Sequence, residues 1–155
     1  MHITASHIVE WVNTKAKEAQ TNLPRLIRRL CLEPAATWQL SFPAGDSTYV
    51  PGWDGVLCRE RGDAWAPPGT SYWEIGCDQA TTTKANGDYQ KRLIQTCIED
   101  RASSTFVFVT PRRWHQKADW ISTQCAKGDW ADVRALDADD LEQWLEQKPT
   151  IALQF

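Results

Sequence analysis

The sequence lacks any apolar stretch long enough to cross a bilayer. Its apolar runs, such as residues 106–109, are the length of a strand, whereas a membrane-spanning helix needs about 20 residues. The N-terminus also lacks the cationic start and apolar core of a secretory signal peptide. We therefore expect a cytoplasmic protein that has no membrane partner.

Cysteine pairs and glycine-rich phosphate loops are absent as well. The five cysteines are far apart and form no C-x-x-C pair, which argues against a zinc knuckle and against a disulfide framework. We expect them to be buried or half-buried free thiols. Neither G-x-G-x-x-G nor a P-loop string occurs, so the common dinucleotide and nucleoside-triphosphate loops are not indicated.

The chain has no excess of positive charge, with 17 Lys and Arg against 20 Asp and Glu and a formal net charge of −3. Proteins that bind nucleic acid normally present a basic face, and this balance argues against such binding by the surface as a whole. A nuclease nevertheless gathers carboxylates around cations, while a separate basic patch or a partner domain holds the backbone.

What is present indicates one domain spanning residues 1–155. The length suits a single core, and 42% hydrophobic with 24% charged residues is ordinary for a globular protein. The periodicities predict a helix, two or three antiparallel strands, a helix, a buried strand, a helix, a short strand and a helix. This order predicts an α/β fold with a mixed β-sheet flanked by helices.

The helices are predicted from apolar residues at helical spacing and from capping residues. The first runs from Ile8 to Ala19 with Thr4 or Ser6 as its cap, and a second starts near Asn22 with Pro24 in its first turn. After a polar connector at 81–87, a helix from Asp88 is predicted to bury one face. The residues of that face are Tyr89, Leu93, Ile94, Cys97 and Ile98.

Short helices complete the prediction, at residues 117–125 and after a capping Asp137. The last of these should bury Leu141, Trp144 and Leu145 and end before Pro149. Strands are predicted from alternation and β-branched content at 37–42, 53–59, 71–76, 104–110 and 133–136, with a turn at 43–46. Core tryptophans are expected at Trp11, Trp38, Trp73 and Trp144.

Two acids form the strongest candidate site. Asp54 enters one predicted strand within Gly52-Trp-Asp-Gly55, and Glu74 lies inside the next strand. Adjacent antiparallel strands can bring the two carboxylates side by side, where they could hold Mg²⁺ or Mn²⁺. Such an ion lowers the pKa of an attacking water and neutralises charge on a phosphate. The simpler alternatives are a turn aspartate and an exposed strand glutamate.

Several segments resemble PD-(D/E)xK nucleases, the restriction-endonuclease-like superfamily. More narrowly, short strings are similar to an N-terminal module that precedes an NTPase-type region in large bacterial proteins suspected of antiviral defence. These strings are Leu23-Pro-x-Leu-Ile-Arg-Arg-Leu30, Pro51-Gly-Trp-Asp-Gly55, Ser71-x-Trp-Glu-Ile-Gly76 and Lys84-Ala-Asn-x-Asp-Tyr-x-Lys-Arg92.

The resemblance implies a restriction-endonuclease-like fold and metal-dependent hydrolysis of phosphodiester bonds in DNA. It makes Asp54 and Glu74 the metal ligands, and it implies a module of a longer protein with an NTPase or sensor region and a possible homo-oligomer. One feature departs from the family pattern. The lysine usually found two positions after the acid is replaced by Gly76.

A lysine on the following segment could take over the missing role. Lys84 lies in the predicted connector, and Lys91 lies in the first turn of the predicted helix, which makes Lys91 slightly preferred. Arg112 and Arg113 follow the buried strand and are candidates for phosphate contacts, although a solvated pair is equally consistent.

Two other functions stay open at this point. A catalytically inactive copy of the fold could serve nucleic-acid or protein recognition, which Gly76 and the acidic charge balance favour. A cysteine hydrolase would need His115 beside a thiol, and no cysteine lies near His115 in the sequence.

Overall fold

The computed structural model describes residues 2–45 and 52–154 and contains one five-stranded sheet between helices. The helices are α1 (Ala5–Thr14), α2 (Ala16–Cys31), α3 (Thr81–Gln95), α4 (Ile98–Ala102), α5 (Lys117–Lys127), α6 (Ala138–Glu146) and α7 (Pro149–Ala152). The strands are β1 (Thr37–Ser41), β2 (Gly55–Arg59), β3 (Gly69–Ile75), β4 (Ser104–Val109) and β5 (Asp132–Leu136). The predicted α/β class with a mixed, helix-flanked sheet is confirmed. Asp46 and Pro51, which belong to the predicted turn and to one of the strings above, lie outside the described residues.

The strands follow one another across the sheet in the order β1-β2-β3-β4-β5. β1, β2 and β3 pair antiparallel, whereas β3, β4 and β5 pair parallel, with helices in both parallel crossovers. Gly55 pairs with Trp73. The start of β2 and the end of β3 therefore lie at the same edge of the sheet, and we call this the carboxylate edge.

Both faces of the sheet are covered, and β4 is buried along its whole length. Val107 and Val109 face a core shared with α1, α2 and α6. Phe106 and Phe108 face a second, aromatic core beneath α3 and α5. This arrangement explains the uninterrupted apolar run, because a strand covered on both faces has no solvent side to make polar.

The break between the first two helices falls at Lys15, not before Asn22 as predicted. Pro24 lies in the interior of α2, where it cannot donate a backbone hydrogen bond. The helix nevertheless continues, since its buried stripe outweighs that loss. The stripe consists of Leu23, Leu26, Ile27 and Leu30.

The connector predicted at 81–87 is wrong, because α3 already begins at Thr81. The buried face of α3 carries a polar member, so apolar spacing alone placed the face incorrectly. Ile94 is 76% exposed and Ile98 is 64% exposed, and Ile98 begins the separate helix α4, which the sequence did not predict. The residues that α3 buries are Thr81, Ala85, Tyr89 and Arg92.

Trp38 is 72% exposed, contrary to its predicted place in the core. It lies on β1 at an irregularity in the pairing, where Thr37 is opposite Arg59 and Gln39 is opposite Cys58. An extra residue at such a bulge disrupts the alternation of a strand. Trp73 and Trp144 are fully buried as predicted, and Trp11 is half-buried.

The remaining boundaries agree with the prediction to within a few residues. Thr4 caps α1 and Asp137 caps α6, each in a capping box. Pro149 begins α7, after α6 has already ended at Glu146. Within 2–45 and 52–154, no helix combines the length and apolar character needed to span a membrane.

Candidate functional site

The structure brings Asp54 and Glu74 together at the carboxylate edge. Asp54 comes directly before β2, and its Oδ2 accepts a hydrogen bond of 2.8 Å from the backbone N–H of Ile75 in β3. Glu74 is 3% exposed, and its carboxyl group is near enough to that of Asp54 for the two to interact. Its neighbours Trp73 and Ile75 pack with the opposite core. The antiparallel register therefore places both carboxyl groups in one small volume.

Two carboxyl groups this close cannot both ionise without cost. Burial, the largest cause, together with the hydrogen bond and charge of Asp54 raises the pKa of Glu74 to about 9, against the opposing effect of Arg92. In the absence of another cation, the pair therefore tends to retain a proton near neutral pH. A bound cation would relieve this repulsion.

Arg92 on α3 is the main site residue that the sequence analysis missed. Its side chain is buried, its Nε pairs with Glu74, and its Nη2 donates to the carbonyl of Gly52. Its guanidinium carbon lies 4.6 Å from the centre of the Trp53 ring. Arg92 thus ties the segment before Asp54 to β3 and α3. Arg92 comes three residues after Tyr89, a spacing that puts both side chains on one helical face, and this spacing could have identified Arg92 as buried.

Lys84 lies in the first turn of α3, and its side chain runs over Gly76. A Cβ added to Gly76 would come within 2.7 Å of Lys84 Cγ and 2.8 Å of Phe108 Cζ. The stem of Lys84 therefore fills the space that a side chain at position 76 would occupy. The Lys84 ammonium donates a 2.9 Å hydrogen bond to Asp88.

The charges around Lys84 keep it protonated. Burial alone would lower its pKa, but the hydrogen bond to Asp88 and the charges of Asp88, Asp78 and Asp54 raise the pKa above the ordinary lysine value. For Asp88, burial raises the pKa of the carboxyl group, the charge of Asp54 raises it as well, and Lys84 lowers it. Asp54, Asp88 and Lys84 thus act on one another electrostatically.

Lys91 lies two helical turns after Lys84 and is exposed. Its charge acts on Asp88, but within the described part of the chain no contact places it beside Gly76. The slight preference for Lys91 depended on a helix starting at Asp88. Because α3 starts at Thr81, the first-turn position that reaches back to the sheet belongs to Lys84.

The donor set at the carboxylate edge fits one kind of metal ion. Across 2–45 and 52–154, no group of three or more His, Cys, Asp or Glu side chains is arranged to hold a metal. Asp54 and Glu74 form a two-carboxylate set. Mg²⁺ is usually held through one or two carboxylates with waters and substrate phosphates completing its shell, so this pair suits Mg²⁺ or Mn²⁺ and does not suit a structural zinc ion.

Arg112 and Arg113 occupy different places. Arg112 Nε donates to the carbonyl of Cys77, just after β3, at 2.7 Å, and its Nη1 donates to Asn13 Oδ1 at 2.7 Å. Arg113 bonds to Ser6 and pairs with Asp139 at 3.8 Å. Arg112 therefore lies next to the carboxylate edge, whereas Arg113 faces α1 and α6.

All five cysteines are free thiols, as expected, but Cys97 and Cys125 are exposed, contrary to the prediction. Burial raises the pKa of the Cys31 thiol well above its ordinary value and raises that of Cys77 to about 11. Such thiols are poor nucleophiles near neutral pH. His115 is exposed in the loop before α5. These features disfavour a cysteine hydrolase.

Comparison with known proteins yields no match to a family model, a curated protein or a solved structure. The geometry of the site is therefore the basis for assigning a function. It offers two adjoining carboxylates, a lysine held as a cation and a buried arginine. This combination can bind a divalent ion and stabilise negative charge that develops beside it.

Proposed function

We propose that this chain is a restriction-endonuclease-like nuclease domain that hydrolyses phosphodiester bonds in DNA with Mg²⁺ or Mn²⁺. Asp54 and Glu74 are the metal ligands, and Lys84 is the cation beside the attacking water. The observation that carries the proposal is the contact between the two carboxyl groups at one sheet edge, next to a lysine whose stem fills the gap at Gly76.

Each side chain has a distinct part in this chemistry. The Ile75 N–H holds Asp54 in place, and Glu74 must give up its proton to act as a ligand. Lys84 stays charged near neutral pH, so it orients water and stabilises negative charge and does not remove a proton. The bound ion would lower the pKa of the water and neutralise charge on the phosphate.

The biological setting follows from the family resemblance alone. The domain would be the effector module of a bacterial antiviral defence system in the cytoplasm. A sensor or NTPase region of the same longer chain would control it, and a homo-oligomer would be one way to cut both strands.

Plasmid nicking tests the proposal directly. Cleavage should require Mg²⁺ or Mn²⁺, stop in EDTA, and be lost in Glu74→Gln. The glutamine keeps a hydrogen-bond acceptor for Arg92, so this variant should stay folded. Glu74→Ala is the contrasting variant, since it removes the carboxyl partner of the buried Arg92 guanidinium and should lower stability by about 3–5 kcal/mol. Undiminished cleavage in EDTA would contradict the metal-dependent mechanism.

An inactive recognition module is the second candidate, and the Glu74–Arg92 ion pair favours it. In such a module Arg92 would be the permanent partner of Glu74, and no divalent ion would be needed. Titration calorimetry with Mn²⁺ separates the two candidates. The nuclease should bind Mn²⁺ in the wild-type protein and lose that binding in Asp54→Asn, whereas the inactive module should show no binding that depends on Asp54.

A further inference from the structure

A second concave surface lies outside the site described above. It is a groove of about 850 Å³ between α1, α2 and α7. Lys15, Arg25 and Arg29 contribute positive charge to its walls, and Glu18 contributes a carboxylate. We call this surface the basic groove. It stands out because the chain as a whole carries a net charge of −3.

The cations of the basic groove are arranged by α2. Arg25 and Arg29 are four residues apart, so they lie one above the other on the same helical face. Asn22 Oδ1 accepts a hydrogen bond of 2.9 Å from Arg25 Nη1 and orients the guanidinium. A guanidinium has five N–H donors in a planar fork, and this bond uses one of them.

Arg112 connects the helices of the basic groove to the carboxylate edge. Arg112 bonds both to the carbonyl of Cys77, directly after β3, and to Asn13, two positions before Lys15. Arg25 lies beside Gly45, since a Cβ on Gly45 would be 3.7 Å from Arg25 Nη2. Arg112 therefore links α1, which forms one wall of the basic groove, to the segment that directly follows β3.

We propose that the basic groove binds the phosphate backbone of the DNA that the carboxylate edge cleaves. This inference rests on the proposed nuclease function. Arginine forks match phosphate oxygens in geometry and stay charged at every relevant pH. The basic groove supplies the local positive surface that the overall composition lacks.

Fluorescence anisotropy with a labelled DNA duplex in EDTA tests the inference without any cleavage. Arg25→Ala/Arg29→Ala should weaken binding about tenfold or more. It should also reduce the slope of log K against log salt by about two, because each lost phosphate contact removes about one unit. Arg29→Glu, at an exposed position, should weaken binding at unchanged melting temperature. Arg61→Ala is the matched control, since Arg61 is 66% exposed and pairs with Glu33 away from the basic groove.

Equal affinity and salt slope for the wild type and the double variant would overturn the inference, as would a wild type that binds no duplex. Competition by ATP at micromolar concentration, with loss in the same variants, would assign the basic groove to a free nucleotide and would also overturn it. Cleavage distinguishes the two proposals. If DNA binding depends on Arg25 and Arg29 but no metal-dependent nicking occurs, the proposed nuclease activity is wrong. If nicking is lost in Glu74→Gln but is unaffected by the substitutions at Arg25 and Arg29, the proposed role of the basic groove is wrong.

Discussion

The Lys84 side chain occupies the space that a side chain at position 76 would fill. This gives the clearest prediction at the scale of single residues. Lys84→Ala should lower the cleavage rate by a factor of about ten to a thousand, because it removes the cation beside the water without touching a metal ligand. Lys91→Ala, a matched change two turns further along α3 at an exposed position, should have little effect. Plasmid nicking and Mn²⁺ calorimetry measure rate and metal affinity separately. The reverse ranking would return the role to Lys91.

Thiol reactivity gives a second prediction at this scale. A raised pKa leaves less thiolate at a given pH, so Cys31 and Cys77 should resist iodoacetamide at pH 8, while the exposed Cys97 and Cys125 react. Mass spectrometry of the digested protein locates the label. Nicking activity should survive this labelling. Rapid modification of Cys77 accompanied by loss of activity would revive the cysteine hydrolase.

At the scale of elements, the stability of α6 depends on its N-cap residue, Asp137. Asp137 accepts from the backbone N–H of Asp140 at 3.2 Å, bonds to Lys117 at 3.2 Å and is 4% exposed. Asp137→Ala should therefore cost about 2 kcal/mol of unfolding free energy, measured by urea denaturation. Asp139→Ala is the control, since its exposed pair with Arg113 should contribute under about 1 kcal/mol. Equal costs would show that the cap is not what stabilises α6.

Elements were predictable where local signals and packing agree. β4 has a fully apolar run covered on both faces, and α6 has a capping box followed by a buried stripe, so both were predicted within a residue or two. α3 was misjudged because its buried face includes Arg92, and threonines and Gly87 weaken the helical signal of its first half. The burial of Trp38 on β1 was predicted incorrectly because a bulge turns this side chain outward. The alternation of apolar and polar residues in a sequence does not reveal a bulge.

For the molecule as a whole, strand order determined how much of the site could be inferred. Asp54 and Glu74 meet because consecutive antiparallel strands are neighbours, a rule that sequence reasoning can apply. The contacts of Arg92 with Glu74 and Gly52 depend on the rotation of α3 against the sheet, which apolar spacing did not reveal. The basic groove was hidden for a similar reason, since α1, α2 and α7 form it only once packed.

The stability of the whole domain should respond to the ion that the carboxylate edge is proposed to bind. A ligand that binds only the folded state adds about 2.7 kcal/mol at a hundred times its Kd. For a chain of 155 residues, each kcal/mol raises the melting temperature by about 2–4 °C. Saturating Mn²⁺ should therefore raise Tm by about 5–10 °C in differential scanning calorimetry. Asp54→Asn keeps an oxygen acceptor for the Ile75 N–H, so it should remain folded while the Mn²⁺ shift disappears. An equal shift in this variant would place the ion elsewhere, and no shift in either protein would favour the recognition module, whose buried Glu74 already has Arg92 as its cation.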